Sequence, residues 1–535
     1  MKKYIESDIN LYDWQKDCLI KWHVNNYRGI INVATGAGKT ILAVAAIKTL
    51  CEKLCKTDRD SSLKVKIIVP KIFLAGQWVN TLINVLGAKR GEIGLYYGQS
   101  KEDENRKYMI YVLNSARYSV SSHILNDYKN NCHVLLICDE CHHFGSAENS
   151  KVFDFMSHID MSKYFSLGLS ATPDLNNPVL TKSLGGEIYK YGFDMAVKTG
   201  VVAEYNVFNI SLDFLDDESE EYYFLTDKLT VLYTKIMKLL PYLKNLRKQK
   251  NDKFYNELKK IASAGNGQVS DFASSILVTL YKRKEIVYLA QNRILCAEEL
   301  LKRLPGNRII VFCERISAVD ELYNRLKNNR VSISVGKYHS EMGGEARKLA
   351  LERYKNGEIN ILLSCRALDE GLNVPETDTG IIMSSTGSVR QRIQRVGRVL
   401  RKIGGNQIKS IYYMYIGDFF NSIEECEVIP NDKFDKNNKN SHTFNLSYNS
   451  VKNDFICDEY DLLCKSALKR LGENKTLSVI LDEVKNNFKF GIIKSDWKLS
   501  EAECRAKIEE SKNTSEKNYW ISMLKIIVAN NQINQ

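Results

Sequence analysis

The chain has 535 residues, of which 44% are hydrophobic and 26% are charged, a composition typical of folded proteins and not of disordered ones. Lysine and arginine number 76 and aspartate and glutamate 64, so the net charge of +12 favours polyanionic partners such as nucleic acid. The 13 cysteines form no dense framework, which indicates reduced thiols and a cytoplasmic protein. No apolar run approaches the length of about 18 residues that a membrane span needs, so we expect no membrane association.

Short β-branched runs alternate with segments of helical period from residue 29 to about residue 200. The predicted strands are 30–34, 65–69, 108–113, 134–138 and 164–169. Helices are predicted over 39–54 and 72–85, so the order is β-α-β-α and the sheet should be mainly parallel. Ligands of such a sheet bind at the carboxyl ends of its strands.

A glycine-rich turn lies between the first predicted strand and the first predicted helix. Its glycines let backbone N–H groups turn toward phosphates, Lys39 can neutralise phosphate oxygens, and the Thr40 hydroxyl can ligate Mg²⁺. The full pattern would have glycine at position 33, where this chain has Val33. The alternative is a strand-to-helix turn with an incidental lysine. The candidate nucleotide-binding residues are Thr35, Gly36, Ala37, Gly38, Lys39 and Thr40.

A second apolar segment ends in two adjacent carboxylates, Asp139 and Glu140. Asp139 can hold Mg²⁺, and Glu140 can orient and activate the water that attacks a terminal phosphate. A zinc site is the alternative, because Cys138 and Cys141 form a C-x-x-C with two histidines beside it. Strand alternation would place Cys138 with Glu140 on one face and Asp139 with Cys141 on the other, and no second pair follows at zinc spacing. We therefore favour the magnesium interpretation.

These motifs, with the Ser-Ala-Thr tripeptide that begins at Ser170, resemble a superfamily 2 helicase or translocase of the DExH type. The chain looks similar to XPB-like and UvrB-like DNA enzymes and to restriction motor subunits, from about residue 11 to residue 402. The resemblance implies ATP and Mg²⁺ as cofactors and a coupling role for Ser170 and Thr172. Residues 11–15 are similar to the family's adenine motif, which makes Gln15 the candidate for reading the base; a surface helix cap is the alternative.

The alternation of strands and helices returns from residue 307 to about residue 416, with strands predicted at 308–312, 332–338, 360–364 and 380–383. Residues 218–302 have helical spacing with a loop at 265–267. Residues 430–454 are crowded with Asn, Lys and Ser, which predicts a solvated linker or long loop, and amphipathic spacing predicts helices after residue 459. We expect an α/β fold: two tandem RecA-like parallel-sheet lobes at 1–212 and 305–429, a helical insertion at 213–304, and a linker with a helical tail at 430–535.

The second lobe contains two further motifs of the family. Residues 368–375 resemble the fifth motif, in which Gly371 permits a turn beside the nucleotide. Residues 387–402 carry basic side chains and no acidic ones on an amphipathic helical pattern. The family's sixth motif, Gln-Arg-x-Gly-Arg-x-x-Arg, begins at Gln394. The resemblance makes Arg395 and Arg398 arginine fingers that reach ATP when the lobes close, with Gln394 in a coupling role; such an arginine is worth roughly 10³- to 10⁵-fold in rate.

By position in the family, the candidate nucleic-acid contacts are Lys71, Gln77, Ser364 and Arg366; for Lys71, a solvated residue at a helix start is the alternative. We expect an ATP-dependent helicase or translocase that acts on DNA in repair, restriction or phage defence. Two alternatives stay open: a DExH RNA helicase, and a motor or interaction subunit that docks on a larger complex through the tail. Residues 483–485 have the Glu-x-Lys spacing of a nuclease motif, but no Pro-Asp partner lies upstream, so we predict no cutting activity.

Overall fold

A computed structural model gives the structure of the chain. It describes residues 9–57, 62–203, 205–249, 251–265, 267–304, 306–328, 333–365, 377–384, 389–400, 409–416, 442–456 and 500–511, with isolated positions between 517 and 528. No helix in this described part is long and apolar enough to cross a lipid bilayer.

Backbone contacts divide the chain into two compact units. The first contains residues 1–204, 368–376 and 389–407, and the second contains 205–367, 377–388 and 408–535. Both units are built on a mainly parallel sheet covered by helices, as the fold class predicted. The four domain boundaries proposed from the sequence remain predictions.

The first unit has an eight-stranded sheet among the described residues, in the order β4-β3-β5-β2-β6-β7-β1-β8. Every neighbouring pair is parallel except the short β3–β4 pair. The strands are β1 (Arg28–Val33), β2 (Leu63–Val69), β3 (Ile93–Tyr97), β4 (Ser100–Lys101), β5 (Tyr108–Val112), β6 (His133–Asp139), β7 (Tyr164–Ser170) and β8 (Glu187–Tyr191). All seven residues of β6 and of β7 are buried, because a central parallel strand has helices on both faces.

Six α-helices of the described chain precede the second unit. They are α1 (Asp13–Val24), α2 (Lys39–Thr57), α3 (Ile72–Asn84), α4 (Leu113–Lys129), α5 (Pro178–Leu184) and α6 (Phe193–Lys198). The two predicted helices correspond to α2 and α3, and all five predicted strands are present within one or two residues of their ends. Because β1, β2, β6 and β7 are parallel, their carboxyl ends meet at one edge of the sheet, where the candidate site residues follow them.

The second unit has its own eight-stranded described sheet, in the order β11-β12-β10-β13-β14-β9-β15-β16. The strands are β9 (Tyr205–Leu212), β10 (Ile309–Cys313), β11 (Val335–Tyr338), β12 (Ile361–Cys365), β13 (Thr379–Ile382), β14 (Lys409–Ile416), β15 (His442–Asn449) and β16 (Asp454–Ile456). The four predicted strands of this lobe are confirmed. Strand β9 comes from the sequence before the helical insertion and pairs with β14, so the sheet joins distant parts of the chain.

The predicted helical insertion is confirmed. Its five helices are α7 (Asp216–Leu239), α8 (Tyr242–Gln249), α9 (Asn251–Ser263), α10 (Gln268–Leu289) and α11 (Gln291–Arg303), and two more follow, α12 (Ile316–Asn328) and α13 (Gly344–Lys355). Parts of α7 to α10 enclose a separate small core that includes Ile236, Phe254 and Ile276. Gly265 and Gly267 have positive φ angles of 97° and 149° in the predicted loop before α10.

Two helices lie after α13 in the described chain, α14 (Val389–Val399) and α15 (Glu501–Glu510). Helix α14 carries the sixth motif, and its contacts group it with the first unit. Helix α15 packs on the core of the second unit through Cys504, together with Trp520 and Met523. The apolar positions 462–471 on which the tail helices were predicted lie outside the described residues.

The prediction of a linker or long loop over residues 430–454 is wrong for its second half. Strand β15 pairs parallel with β9, and β16 returns antiparallel to β15. Leu446 and Tyr448 are buried in the core of the second unit, two residues apart as strand alternation requires. The abundance of Asn and Ser hid this alternation, and the pairing with β9 supplied the missing stabilisation.

Candidate active site

The phosphate loop has the backbone that its glycines predicted. Gly36 and Gly38 have positive φ angles of 84° and 96°, which favour glycine. A β-carbon at Gly38 would also lie 3.0 Å from Gln15 Nε2, so the position is tight on that side. The loop follows β1 directly and ends where α2 begins at Lys39. Backbone N–H groups at a helix amino terminus favour an anion, so this turn fits a phosphate chain.

Gln15 anchors the phosphate loop through its side-chain amide. Its Nε2 donates to the Gly38 carbonyl oxygen at 3.0 Å, and its Oε1 accepts the Tyr12 backbone N–H at 2.9 Å. Only 1% of Gln15 is exposed. The bond to Tyr12 is the capping interaction that the alternative interpretation anticipated, although the residue is buried and not on the surface. Its role in reading adenine stays a prediction.

Lys39 and Glu140 meet at the carboxyl edge of the sheet. Lys39 Nζ lies 3.2 Å from Glu140 Oε1, and both side chains are mostly buried. Glu140 has a left-handed backbone (φ 49°, ψ 53°), which costs a non-glycine residue about 1–2 kcal/mol. Because β6 ends at Asp139 and a short 3₁₀ helix begins at Cys141, the predicted strand alternation across residues 138–141 is wrong. The turn instead directs Glu140 toward the phosphate loop.

The Asp139 carboxylate is held from two sides. Trp78 Nε1 donates to its Oδ2 at 3.0 Å, and the Glu140 backbone N–H donates to its Oδ1 at 3.1 Å. Burial, followed by the neighbouring charge of Glu140, raises the pKa of Asp139 to about 6, while the bond from Trp78 opposes that rise. No local pattern indicated this use of Trp78, since a buried aromatic residue at helical spacing indicates only a core position.

A hydrogen-bonded chain connects the acidic motif to the Ser-Ala-Thr motif. His142 Nδ1 lies 2.9 Å from Ser170 Oγ and 3.5 Å from Glu140 Oε2. Ser170 Oγ also accepts the Thr172 backbone N–H at 3.0 Å. The arrangement is compatible with the coupling role predicted for Ser170 and Thr172. His142 was absent from the predicted set, although its place in the Asp-Glu-Cys-His motif could have indicated it.

Helix α14 packs against the phosphate loop. Thr35 Oγ1 donates to the Ile393 carbonyl oxygen at 3.3 Å. Arg395 and Arg398 are 1% and 8% exposed, and Gln394 is buried beside them. Both arginine side chains are therefore buried and do not face bulk solvent.

The candidate nucleic-acid contacts lie in different surroundings. Lys71 is exposed and precedes the first residue of α3, and Gln77 is half-buried on the same helix. Ser364 is fully buried in β12, so its hydroxyl is not at the surface of the described structure. Arg366 and Gly371 lie outside the described residues.

The donor set fits a magnesium–triphosphate and not a zinc ion. Thr40, the second residue of α2, and Asp139 supply oxygen atoms, which Mg²⁺ prefers; it usually takes one or two protein ligands and completes its shell with phosphates and water. Within the described ranges, no three His, Cys, Asp or Glu side chains are grouped so that they could hold a metal ion. Burial raises the pKa of the Cys138 and Cys141 thiols well above their usual range, which disfavours the thiolates that zinc requires.

Two family matches cover the two halves of the motif set in order. Residues 8–175 match the family described as "Type III restriction enzyme, res subunit". Residues 291–402 match the "Helicase conserved C-terminal domain". The chain belongs to the superfamily 2 helicases. As a superfamily 2 helicase, it binds nucleic acid and hydrolyses ATP in a manner that depends on that nucleic acid.

Similar proteins include curated helicases. This superfamily 2 chain is 26% identical over 405 residues to "DNA 3'-5' translocase XPB2" of Sulfurisphaera tokodaii, a match that covers 74% of the chain and 80% of that relative. It is 22% identical over 407 residues to "Putative DNA 3'-5' helicase Rad25" of Haloarcula marismortui, covering 75% of the chain and 52% of that relative. Among solved structures, S. cerevisiae Dbp5 bound to RNA and ADP BeF3 aligns with a TM-score of 0.49 at 12% identity, over 84% of this chain and 91% of that one.

Proposed function

We propose that this superfamily 2 helicase is a DNA-directed, ATP-driven translocase or helicase that uses Mg²⁺ and works in the cytoplasm. The two curated relatives above are named as a DNA translocase and a putative DNA helicase, and both matches run over about three quarters of the chain. The net charge of +12 favours binding to a polyanion such as nucleic acid. A preference for RNA over DNA in the test below would correct this proposal.

The observation that supports the proposed chemistry most is the meeting of Lys39 and Glu140, at 3.2 Å, beside the glycine turn. Lys39 would neutralise the terminal phosphate oxygens, and Glu140 would orient the attacking water and take its proton. The positive φ angles at Gly36 and Gly38 favour a backbone that curves around phosphates. Bound Mg²⁺ would supply charge neutralisation at the phosphates.

Four further side chains complete the proposed site. Thr40 and Asp139 would hold the metal, the latter with its carboxylate oriented by two hydrogen bonds. Arg395 and Arg398 would stabilise the negative charge that develops on the transferred phosphoryl group. Their support is the contact between α14 and Thr35, which brings their helix to the phosphate loop.

Three parts of this chain would respond to hydrolysis. Glu140 would no longer orient a water molecule. The His142–Ser170 hydrogen bond would connect this change in Glu140 to the Thr172 backbone. The hydrogen bond between Thr35 and α14 would change as well. The contacts of Lys71 and Gln77 with the nucleic-acid strand would then alternate between tighter and looser states. This alternation would move the enzyme along the phosphate backbone.

The deciding experiment measures ATP hydrolysis by the full chain with single-stranded DNA, duplex DNA and RNA of one length at one salt concentration, since electrostatic affinity depends on salt. We expect DNA to stimulate hydrolysis more than RNA, and Lys39→Ala and Glu140→Gln to abolish the stimulated rate. Stronger stimulation by RNA would replace the DNA assignment. Full activity of Lys39→Ala would overturn the site.

A further inference from the structure

The indole of Trp78 touches the proposed metal-binding carboxylate from a different element of the fold. Trp78 lies on α3, and its Nε1 donates to Asp139 Oδ2 at 3.0 Å across 61 positions of sequence. Trp78 is 1% exposed and Asp139 is 7% exposed, so solvent does not compete for the bond. The other carboxylate oxygen is bound by the next residue's backbone. The orientation of Asp139 therefore depends on where α3 lies.

The opposite face of α3 is open. Ile72 at the start of the helix is 58% exposed, and Gly76 follows four residues later on the same face. A β-carbon at Gly76 would have no atom of another residue within 4 Å. Glycine destabilises the interior of a helix relative to alanine, and no packing in the described structure requires it. A bare backbone there lets a ligand approach closely, as a sugar–phosphate strand would.

The two faces of α3 are connected by one rigid helix. Gln77, a candidate strand contact, is the immediate neighbour of Trp78, and adjacent helical residues move together because about 1.5 Å of rise separates them. The buried side chains Leu74, Ala75 and Leu82 hold the inner face on the sheet. Hydrogen bonds weaken steeply as their distance and angle change. A small shift of α3 on strand binding therefore changes the hold on Asp139.

We propose that Trp78 is a positioning residue. Through it, binding of a nucleic-acid strand to α3 changes the orientation of the Asp139 carboxylate. This inference rests on the proposed function, which assigns the strand to α3 and the metal to Asp139. Coupling between two binding sites is reciprocal, so the bound nucleotide changes strand affinity by the same factor as the strand changes nucleotide affinity. Typical coupling factors are roughly 5- to 150-fold.

The test compares Trp78→Phe with Trp22→Phe in the full chain. Trp22 is a matched control, because it is also 1% exposed and its Nε1 donates to the Ser166 carbonyl oxygen at 2.9 Å, away from the acidic motif. The dissociation constant of a fluorescein-labelled single-stranded oligonucleotide is measured by anisotropy with and without Mg²⁺ and the non-hydrolysable analogue AMP-PNP. The coupling factor is the larger of the two dissociation constants divided by the smaller.

We expect the unaltered chain and Trp22→Phe to share a ratio of at least about 5, and Trp78→Phe to give a ratio near one with its nucleotide-free affinity retained. A wild-type ratio in Trp78→Phe overturns the inference, as does a ratio near one in the unaltered chain. Failure of the unaltered chain to bind either this oligonucleotide or the corresponding duplex would instead overturn the proposed function, so the two failures are distinguishable.

A second variant guards against misfolding of Trp78→Phe. Suppression of a nonsense codon can place 3-benzothienylalanine at position 78, which keeps the bicyclic shape and replaces the N–H donor by sulfur. This variant should unfold within a few degrees of the unaltered chain and lose the coupling ratio. If it keeps the ratio, the hydrogen bond does not carry the coupling.

Discussion

Gly397 faces Thr35 with no room for a side chain between them. A β-carbon at Gly397 would lie 1.5 Å from Thr35 Oγ1 and 2.6 Å from its β-carbon. The same hydroxyl donates to the Ile393 carbonyl oxygen one turn earlier on α14. A single glycine therefore allows the arginine-bearing helix to rest on the phosphate loop.

Replacing Gly397 by alanine should push α14 off the loop. Alanine would favour an isolated helix by about 1 kcal/mol, but overpacking at a tight contact costs about 1–3 kcal/mol. We expect a lower melting temperature and a loss of roughly 10²-fold in stimulated ATP hydrolysis, since a displacement near 1 Å has that effect on catalysis. Adding Thr35→Gly removes both close atoms and should restore part of the stability. An unchanged melting temperature and rate for Gly397→Ala would show that the contact is not needed.

Glu140 stores backbone strain that glycine would release. Its φ of 49° lies in the left-handed region, so Glu140→Gly should raise the free energy of unfolding by about 1 kcal/mol while hydrolysis is lost. Glu140→Gln keeps the strained backbone and serves as the control, with hydrolysis lost but no comparable gain in stability. Urea unfolding of the three proteins measures the difference. Equal stability of the glycine and glutamine variants would contradict a strained turn.

Gly76→Ala should raise the stability of the protein and weaken its binding to a nucleic-acid strand. Alanine strengthens α3 by about 1 kcal/mol, because no neighbour opposes its β-carbon, and it should weaken oligonucleotide binding by blocking close approach. Thermal unfolding and anisotropy titration measure the two effects. Gly91→Ala is the control, since a β-carbon there also meets open space, and it should leave strand affinity unchanged. A stabilised Gly76→Ala with unaltered affinity would remove the outer face of α3 from the strand path.

His123 belongs to a buried polar cluster of the first unit, away from the phosphate loop. Its Nε2 lies 2.7 Å from Glu104 Oε2, and its Nδ1 lies 2.9 Å from the Tyr111 hydroxyl. Burial lowers the pKa of His123, against the opposing charge of Glu104. The titratable groups that face the ring are Glu104, Lys66, Asp127, Tyr96 and Tyr111.

That lowered pKa makes the stability of the fold depend on pH. An unfolded histidine gains its proton as the pH falls through about 6.5, whereas the folded ring of His123 gains it only at lower pH. The unfolded chain therefore binds more protons in this window, and stability falls with the pH until the folded pKa is passed. Urea unfolding measures the free energy of unfolding of the unaltered chain and of His123→Gln. The amount by which the unaltered chain is more stable should shrink as the pH falls from 7.5 to 5. A constant difference across this pH range would contradict the prediction.

The tail should behave as part of the second unit. Met523 is 0% exposed and lies in the core of that unit, so Met523→Ala should cost about 2–5 kcal/mol of unfolding free energy. Glu509→Ala, on the outer face of α15, is the control and should change stability little. Thermal unfolding distinguishes them. If Met523→Ala unfolds like the unaltered chain, the tail is a separate module, and its role as a docking element gains support.

The order of strands and helices could be predicted from the sequence because period and turn residues are local properties. The same holds for Gly36, Lys39, Asp139 and Glu140, which lie at or shortly after the carboxyl ends of two strands and therefore had to lie near the carboxyl edge of one sheet. Local pattern failed at β15, where polar residues masked the alternation of Leu446 and Tyr448.

Only the tertiary structure decided which side chains meet. The bond from Trp78 to Asp139 spans 61 positions and the bond from Thr35 to Ile393 spans 358, so no local period encodes either. The burial of Ser364 and the close approach at Gly397 likewise follow from the packing of whole elements. Chain-local hydrogen bonding and periodicity determine what each segment becomes, whereas the burial of apolar surface by the complete fold determines which of its side chains become neighbours.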